Sequence, residues 1–157
     1  MPILSVELFK GRSREQKRAL VEARGDVFTI PVEKGDVRNL SQSSGSAERD
    51  PAWSADGQWV SYFSDKSGEY KLVIEQQDGL TPPREITIPN PKHYYTASWS
   101  PDSKKLLYTD TDLNVWVMDI ARGSTTRVTF GDRSHDDPTW SPDGNDLLFG
   151  AVQDGVE

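Results

Sequence analysis

Two histidines, no cysteine and 25 Asp and Glu residues set the chemistry open to this chain of 157 residues. The missing cysteines exclude thiolate catalysis, disulfides and cysteine-based zinc sites. Histidine acid–base work would rest on His93 or His135 alone. His135-Asp136-Asp137 puts one imidazole beside two carboxylates, a set that could touch a divalent cation. One His with two adjacent carboxylates is a weak ligand pattern, and a solvated loop is the simpler reading. Asp110-Thr111-Asp112-Leu113-Asn114 opens like a calcium loop. It lacks the glycine at the sixth position and the closing Glu, so a hairpin turn is expected there. No Gly-x-Ser-x-Gly or Ser-x-x-Lys nucleophile motif is present, and no glycine-rich phosphate loop. No cofactor and no metal is expected.

The elements that would carry any site come from an internal repeat. Trp53-Ser54-Ala55-Asp56-Gly57, Trp99-Ser100-Pro101-Asp102-Ser103 and Trp140-Ser141-Pro142-Asp143-Gly144 follow one another at 46 and 41 residues. Out of phase with them, the apolar runs at Val27–Ile30, Lys71–Ile74 and Val115–Met118 recur at 44 residues. Each turn leads into a β-branched or aromatic run, such as Trp59-Val60-Ser61-Tyr62-Phe63, of ordinary strand length. Proline, Asp and Gly are suited to the turn itself. Four short strands in about 44 residues is the size of one propeller blade. The expected fold is therefore all-β, with two complete four-stranded blades at about 50–88 and 95–130. Half-blades are expected at about 26–41 and 137–150, making three blade equivalents. The recurring Trp residues read as packing between blades, and Asp56, Asp102 and Asp143 as turn caps.

Residues 1–24 fall outside the repeat and are expected to form a separate segment before the repeat domain at 25–157. Pro2–Phe9 reads as a strand. Ser13-Arg14-Glu15-Gln16 has the form of a capping box, which predicts a helix over about 14–24 that stops before Gly25. Its apolar content is only Ala19, Leu20, Val21 and Ala23, so it needs something to pack on.

The repeated Trp-Ser-Pro-Asp-Gly turn resembles the blades of TolB-like and tricorn-protease-like propellers, over about 26–150. The stretch from Gly25 to Tyr70 is similar to a tricorn-type propeller. In that family the propeller is a non-catalytic domain that guides peptides toward a separate protease domain, which this sequence lacks. The resemblance implies a propeller module without peptidase activity. Pro2-Ile3, Gly11-Arg12-Ser13 and Glu15-Gln16-Lys17 resemble the start of the 4-oxalocrotonate tautomerase family. That resemblance implies Pro2 as general base, freed by removal of Met1, and Arg12 as a carboxylate-binding residue. The rest of that family's pocket has no counterpart. The joining of two resemblances suggests a chimera or fragment.

Composition narrows the partners. A net charge of −7 offers no footprint for nucleic acid and repels anionic membrane surfaces. No apolar run approaches the ~20 residues needed to cross a bilayer. Aligned on the Trp, the segments ahead of the inner strands read Glu48-Arg49-Asp50, Tyr94-Tyr95-Thr96 and His135-Asp136-Asp137, with His93 just before the second. These positions are expected to line one mouth of a propeller channel. Their mix of charge and aromatics suits a peptide or protein partner. The function expected is a non-catalytic binding module that self-associates through open blade edges, two copies closing a six-bladed ring. A tautomerase-like enzyme using Pro2 and Arg12, and a fragment of a tricorn-like protease, are the alternatives. A cytoplasmic location is expected, or a periplasmic one if an upstream signal has been removed.

Overall fold

Short apolar runs broken by Gly, Asp and Ser leave the chain little choice but to fold back on itself strand by strand. The computed structural model describes residues 5–8, 18–23, 25–31, 34–89, 94–129 and 135–151. Among these residues there are fourteen strands and no helix.

The strands fall into four antiparallel sheets, each a simple meander in chain order. The first holds β1 (Ser5–Leu8), β2 (Arg18–Ala23), β3 (Asp26–Pro31) and β4 (Arg38–Asn39). The second holds β5 (Glu48–Trp53), β6 (Trp59–Ser64), β7 (Lys71–Gln76) and β8 (Arg84–Thr87). The third holds β9 (Tyr94–Trp99), β10 (Lys105–Asp110), β11 (Val115–Asp119) and β12 (Ser124–Arg127). The fourth has two strands, β13 (His135–Trp140) and β14 (Leu147–Ala151).

Two expectations change. The helix over about 14–24 gives way at residues 18–23 to β2, which pairs with β3 from Arg18↔Pro31 to Ala23↔Asp26. Leu20 is fully buried with Val27 and Leu40 in one apolar cluster. A short helix with four apolar residues cannot match that burial, so tertiary packing overrides the capping signal. Residues 14–17 lie outside the described residues, as do Pro2 and Arg12. The first sheet therefore has four strands where two were expected, and β1 and β2 share it with β3 and β4. Among the described residues the count is three four-stranded sheets and one two-stranded sheet.

The core lies between sheets. Leu20, Val27, Leu40, Trp53, Val60, Tyr62 and Val73 fill the space between the first two. Phe63, Leu72, Ile74, Ile86, Trp99, Leu106, Tyr108 and Met118 fill the next. Phe63 meets Tyr108 edge to face, with ring centres 5.9 Å apart. Gly25 lets the first two sheets approach: it takes φ +85°, and a Cβ there would sit 2.9 Å from the Ser46 carbonyl. That approach lets Glu48 N–H donate to the Gly25 carbonyl at 2.8 Å.

Candidate functional site

The Trp-Ser-x-Asp turn is the same device three times. Ser54, Ser100 and Ser141 each donate through Oγ to the Asp two residues on, at 2.6, 2.7 and 2.6 Å. Each Oγ also accepts the backbone N–H five residues on, from Trp59, Lys105 and Asp146, at 2.9 Å. The Asp carboxylates accept N–H groups of Gln58, Lys104 and Asn145. Ser100 holds the Asp102 carboxyl below its ordinary value, and Ser141 with Asn145 pulls that of Asp143 down to about 2. These aspartates are turn caps, as the sequence suggests. Gly57, Ser103 and Gly144 take the left-handed conformation that ends the turn.

The Trp residues tie neighbouring sheets. Trp99 Nε1 donates to Ser61 Oγ of the second sheet at 2.8 Å, and Trp140 Nε1 to the Ser98 carbonyl of the third at 3.1 Å. Arginines of the outer strands make a further tie that sequence reading missed. Arg38 of β4 donates to the Asp78 carbonyl at 3.0 Å, and Arg84 of β8 to the Ile120 carbonyl at 2.8 Å. Each reaches the turn after the third strand of the next sheet. Only the recurrence of an Arg near the fourth strand of the first two units hinted at it.

The segment at 110–114 is the β10–β11 turn. Asp110 accepts N–H groups of Asp112 and Asn114, the Asn114 amide and Trp116 Nε1. Burial works against its charge, but these donors win and hold its carboxyl below the ordinary value. Its lone pairs are spent on the turn. Among the described residues no group of three or more His, Asp or Glu is placed to hold a metal ion.

The residues expected at the channel mouth sit in the first strands rather than in loops ahead of them. Glu48, Arg49 and Asp50 open β5, Tyr94 and Tyr95 open β9, and His135, Asp136 and Asp137 open β13. His93 lies outside the described residues. All three strands carry a one-residue bulge within or just after these positions. It falls between Arg49 and Ala52, between Tyr95 and Ser98, and between Asp136 and Thr139. Asp50-Pro51 and Asp137-Pro138 occupy two of the bulges, where proline gives up no ladder hydrogen bond. A bulge bends the strand and re-aims what precedes it, so one device sets all three openings.

Within this group, Arg49 is exposed and Asp50 half-buried. Glu48 is buried, and its carboxylate accepts from Ser43, Ser46 and Ser64 at 2.5, 2.9 and 2.8 Å. It organises the loop between the first two sheets. Asp50, at φ 50°, donates its N–H to Glu22 of β2 at 3.1 Å. Burial pushes the Glu22 carboxyl up, and this N–H partly offsets that. In the second sheet, Tyr62 donates to Glu75 at 3.1 Å. Burial raises both groups.

The likenesses to known proteins agree with this architecture. The TolB beta propeller domain family matches residues 18–157, across the boundary expected at 24–25. An uncharacterized protein of Agrobacterium fabrum is 30% identical over 159 residues, which covers 95% of this chain and 53% of that protein. The Tol-Pal system protein TolB of Francisella tularensis subsp. mediasiatica is 29% identical over 86 residues, 51% of this chain and 19% of that one. A solved putative TolB from Agrobacterium tumefaciens superposes with a TM-score of 0.69 at 24% identity, covering 88% of this chain and 51% of that one. The chain spans about half the length of the Agrobacterium relative. With its Trp-Ser-x-Asp turns, four-stranded meanders and indole ties between sheets, the chain belongs to the TolB beta propeller domain family.

Proposed function

We propose that the chain is a non-catalytic propeller module that binds protein or peptide segments and associates with a second copy through its open edge. The last sheet carries this reading. By register, Leu147, Leu148 and Phe149 of β14 stand where Leu106, Leu107 and Tyr108 stand in β10. Those three are fully buried, whereas Leu148 is 63% and Phe149 38% exposed. β10 is flanked by β11, whose Val117 and Trp116 face Leu107 and Tyr108 across the ladder, and its Leu106 and Tyr108 also pack against the second sheet. Among the described residues β14 pairs only with β13. An apolar edge strand is a template for another strand. Among the described residues the first sheet is already four-stranded, so the three-blade count behind a six-bladed ring of two copies falls away; two copies would instead meet β14 to β14 in one shared four-stranded sheet.

The starts of β5, β9 and β13 form the partner mouth in this reading. Arg49 offers an exposed cation there, and buried Glu48 fixes the loop beside it. Residues 94–95 and 135–137 stand at the matching strand starts, with His93 just ahead of the second. Family membership supports a TolB-type parent over a tricorn-type one, and the periplasmic location over the cytoplasmic one. The Francisella relative is named a Tol-Pal system protein, and a role in such a protein assembly is the specific form of this proposal.

Amide hydrogen exchange across a concentration series tests the association. The amides of β14 should gain protection as concentration rises, with β6 and β10 unchanged. Fast exchange in β14 at every concentration refutes the open-edge contact.

A further inference from the structure

The second and third sheets leave a cleft of about 300 Å³ between them, at the end that carries the Trp-Ser-x-Asp turns. This is the opposite end of the strands from the proposed partner mouth. Trp59, Ile74, Trp99 and Ile120 give it apolar walls, and Gln76, Thr81 and Arg84 are among its few polar groups. That volume and that mixture suit one small organic molecule.

The polar groups are held in place with donors to spare. Arg84 spends an Nη1 hydrogen on the Ile120 carbonyl at 2.8 Å. Gly123, which takes φ +67° in the turn, stands beside it. A guanidinium anchored by one bond keeps further N–H donors for a ligand. Thr81 Oγ1 donates to Gln76 Oε1 at 3.1 Å, which leaves the Gln76 Nε2 hydrogens for a ligand too. One wall is equally fixed, since Trp99 is pinned by Ser61. Among the described residues that line the cleft, Arg84 is the one ionisable residue and none carries a carboxylate, in a chain whose net charge is −7. The site therefore selects for a negative charge that the rest of the surface repels.

We infer that this cleft binds a small aromatic monocarboxylate, its ring against Trp59 and Ile74 and its carboxylate on Arg84 and Gln76. The pairing follows from chemistry: a guanidinium matches a carboxylate with two parallel N–H donors, and an indole offers a flat apolar face.

Phenylacetate and its neutral analogue phenylacetamide test this on the isotopically labelled full chain, followed by NMR at the Trp59 indole and Gln76 amide signals. Phenylacetate should shift both saturably, and phenylacetamide should bind about fivefold more weakly, as expected for loss of one partly exposed charge pair. Arg84→Gln should bring the acid down to the amide's affinity. Arg38→Gln, which removes the matching tie outside the cleft, should leave the difference intact. Arg84 is exposed, so its replacement spares the core. Equal binding of acid and amide to the unaltered chain, or shifts that do not saturate, would overturn the assignment without recourse to any variant. Loss of the acid–amide difference in Arg38→Gln would overturn the role given to Arg84. The association of copies is read separately by mass, so its failure and the failure of this site are distinguishable.

Discussion

Ser100 shows how much one hydroxyl decides in this fold. Fully buried, it accepts the Lys105 N–H and donates to Asp102, closing the turn that separates β9 from β10. Ser100→Ala leaves that N–H without its partner and is expected to cost about 1–3 kcal/mol, read from the shift of the urea midpoint. The paired aspartates make the molecule acid-sensitive. The Asp143 carboxyl falls from an ordinary 3.8 to about 2 in the folded chain, and that of Asp102 also falls. A group lowered on folding stabilises fully above its unfolded value and ceases to do so as pH drops through the folded one. Stability from Asp143 should thus fade between 3.8 and about 2, and Asp143→Asn should flatten the melting curves over that window. Glu75 has the opposite sign. Burial raises its carboxyl above 4.5, against the Tyr62 hydroxyl that favours its charge, so its contribution is full below 4.5 and lost as pH rises. Glu75→Gln should remove that fall, checked by urea midpoints on either side of 4.5. The turn caps were legible in the sequence because Ser and Asp act on backbone within a few residues. The serine cage of Glu48 and the Tyr62–Glu75 pair were not, because Ser64 lies sixteen residues from Glu48 and Glu75 thirteen from Tyr62.

At the scale of elements, the blade period was visible in sequence because strands and turns alternate in a fixed order. The identity of β2 was not. Ser13-Arg14-Glu15-Gln16 is a strong local signal for a helix start, but the six residues Arg18–Ala23 answer to their neighbours. Leu20 packs with Val27 of β3 and with Leu40 just past β4, contacts that a helix-start signal within four residues does not register. The bulges were hidden for a similar reason: Arg49 and Ala52 show their extra residue only against Phe63 and Ser61 of β6. Trp99 links the elements most directly, since it is buried in the second core and bonded across the sheets. Trp99→Phe keeps the ring but drops the bond to Ser61, for an expected cost of about 1 kcal/mol. Trp99→Ala empties the seam and should cost about 3–5 kcal/mol, both measured by equilibrium unfolding. A much smaller loss for the alanine variant would mean that the sheets are not held by this indole.

At the scale of the whole molecule, the described residues form three four-stranded sheets and a pair of strands, in a chain that spans about half the length of its Agrobacterium relative. The repeat gave away this modular plan, but the count needed the first sheet, whose inner half the sequence pattern concealed. Leu148 is where the open edge meets solvent. Leu148→Lys places a charge on it and is expected to abolish association while leaving the far-ultraviolet spectrum unchanged. Absolute molar mass by light scattering on a size-exclusion column tests the central claim most directly. The expected result is a discrete species at twice the 17.6 kDa chain mass, which Leu148→Lys returns to a single chain. A well-folded, monodisperse monomer of the unaltered protein at every concentration would contradict it.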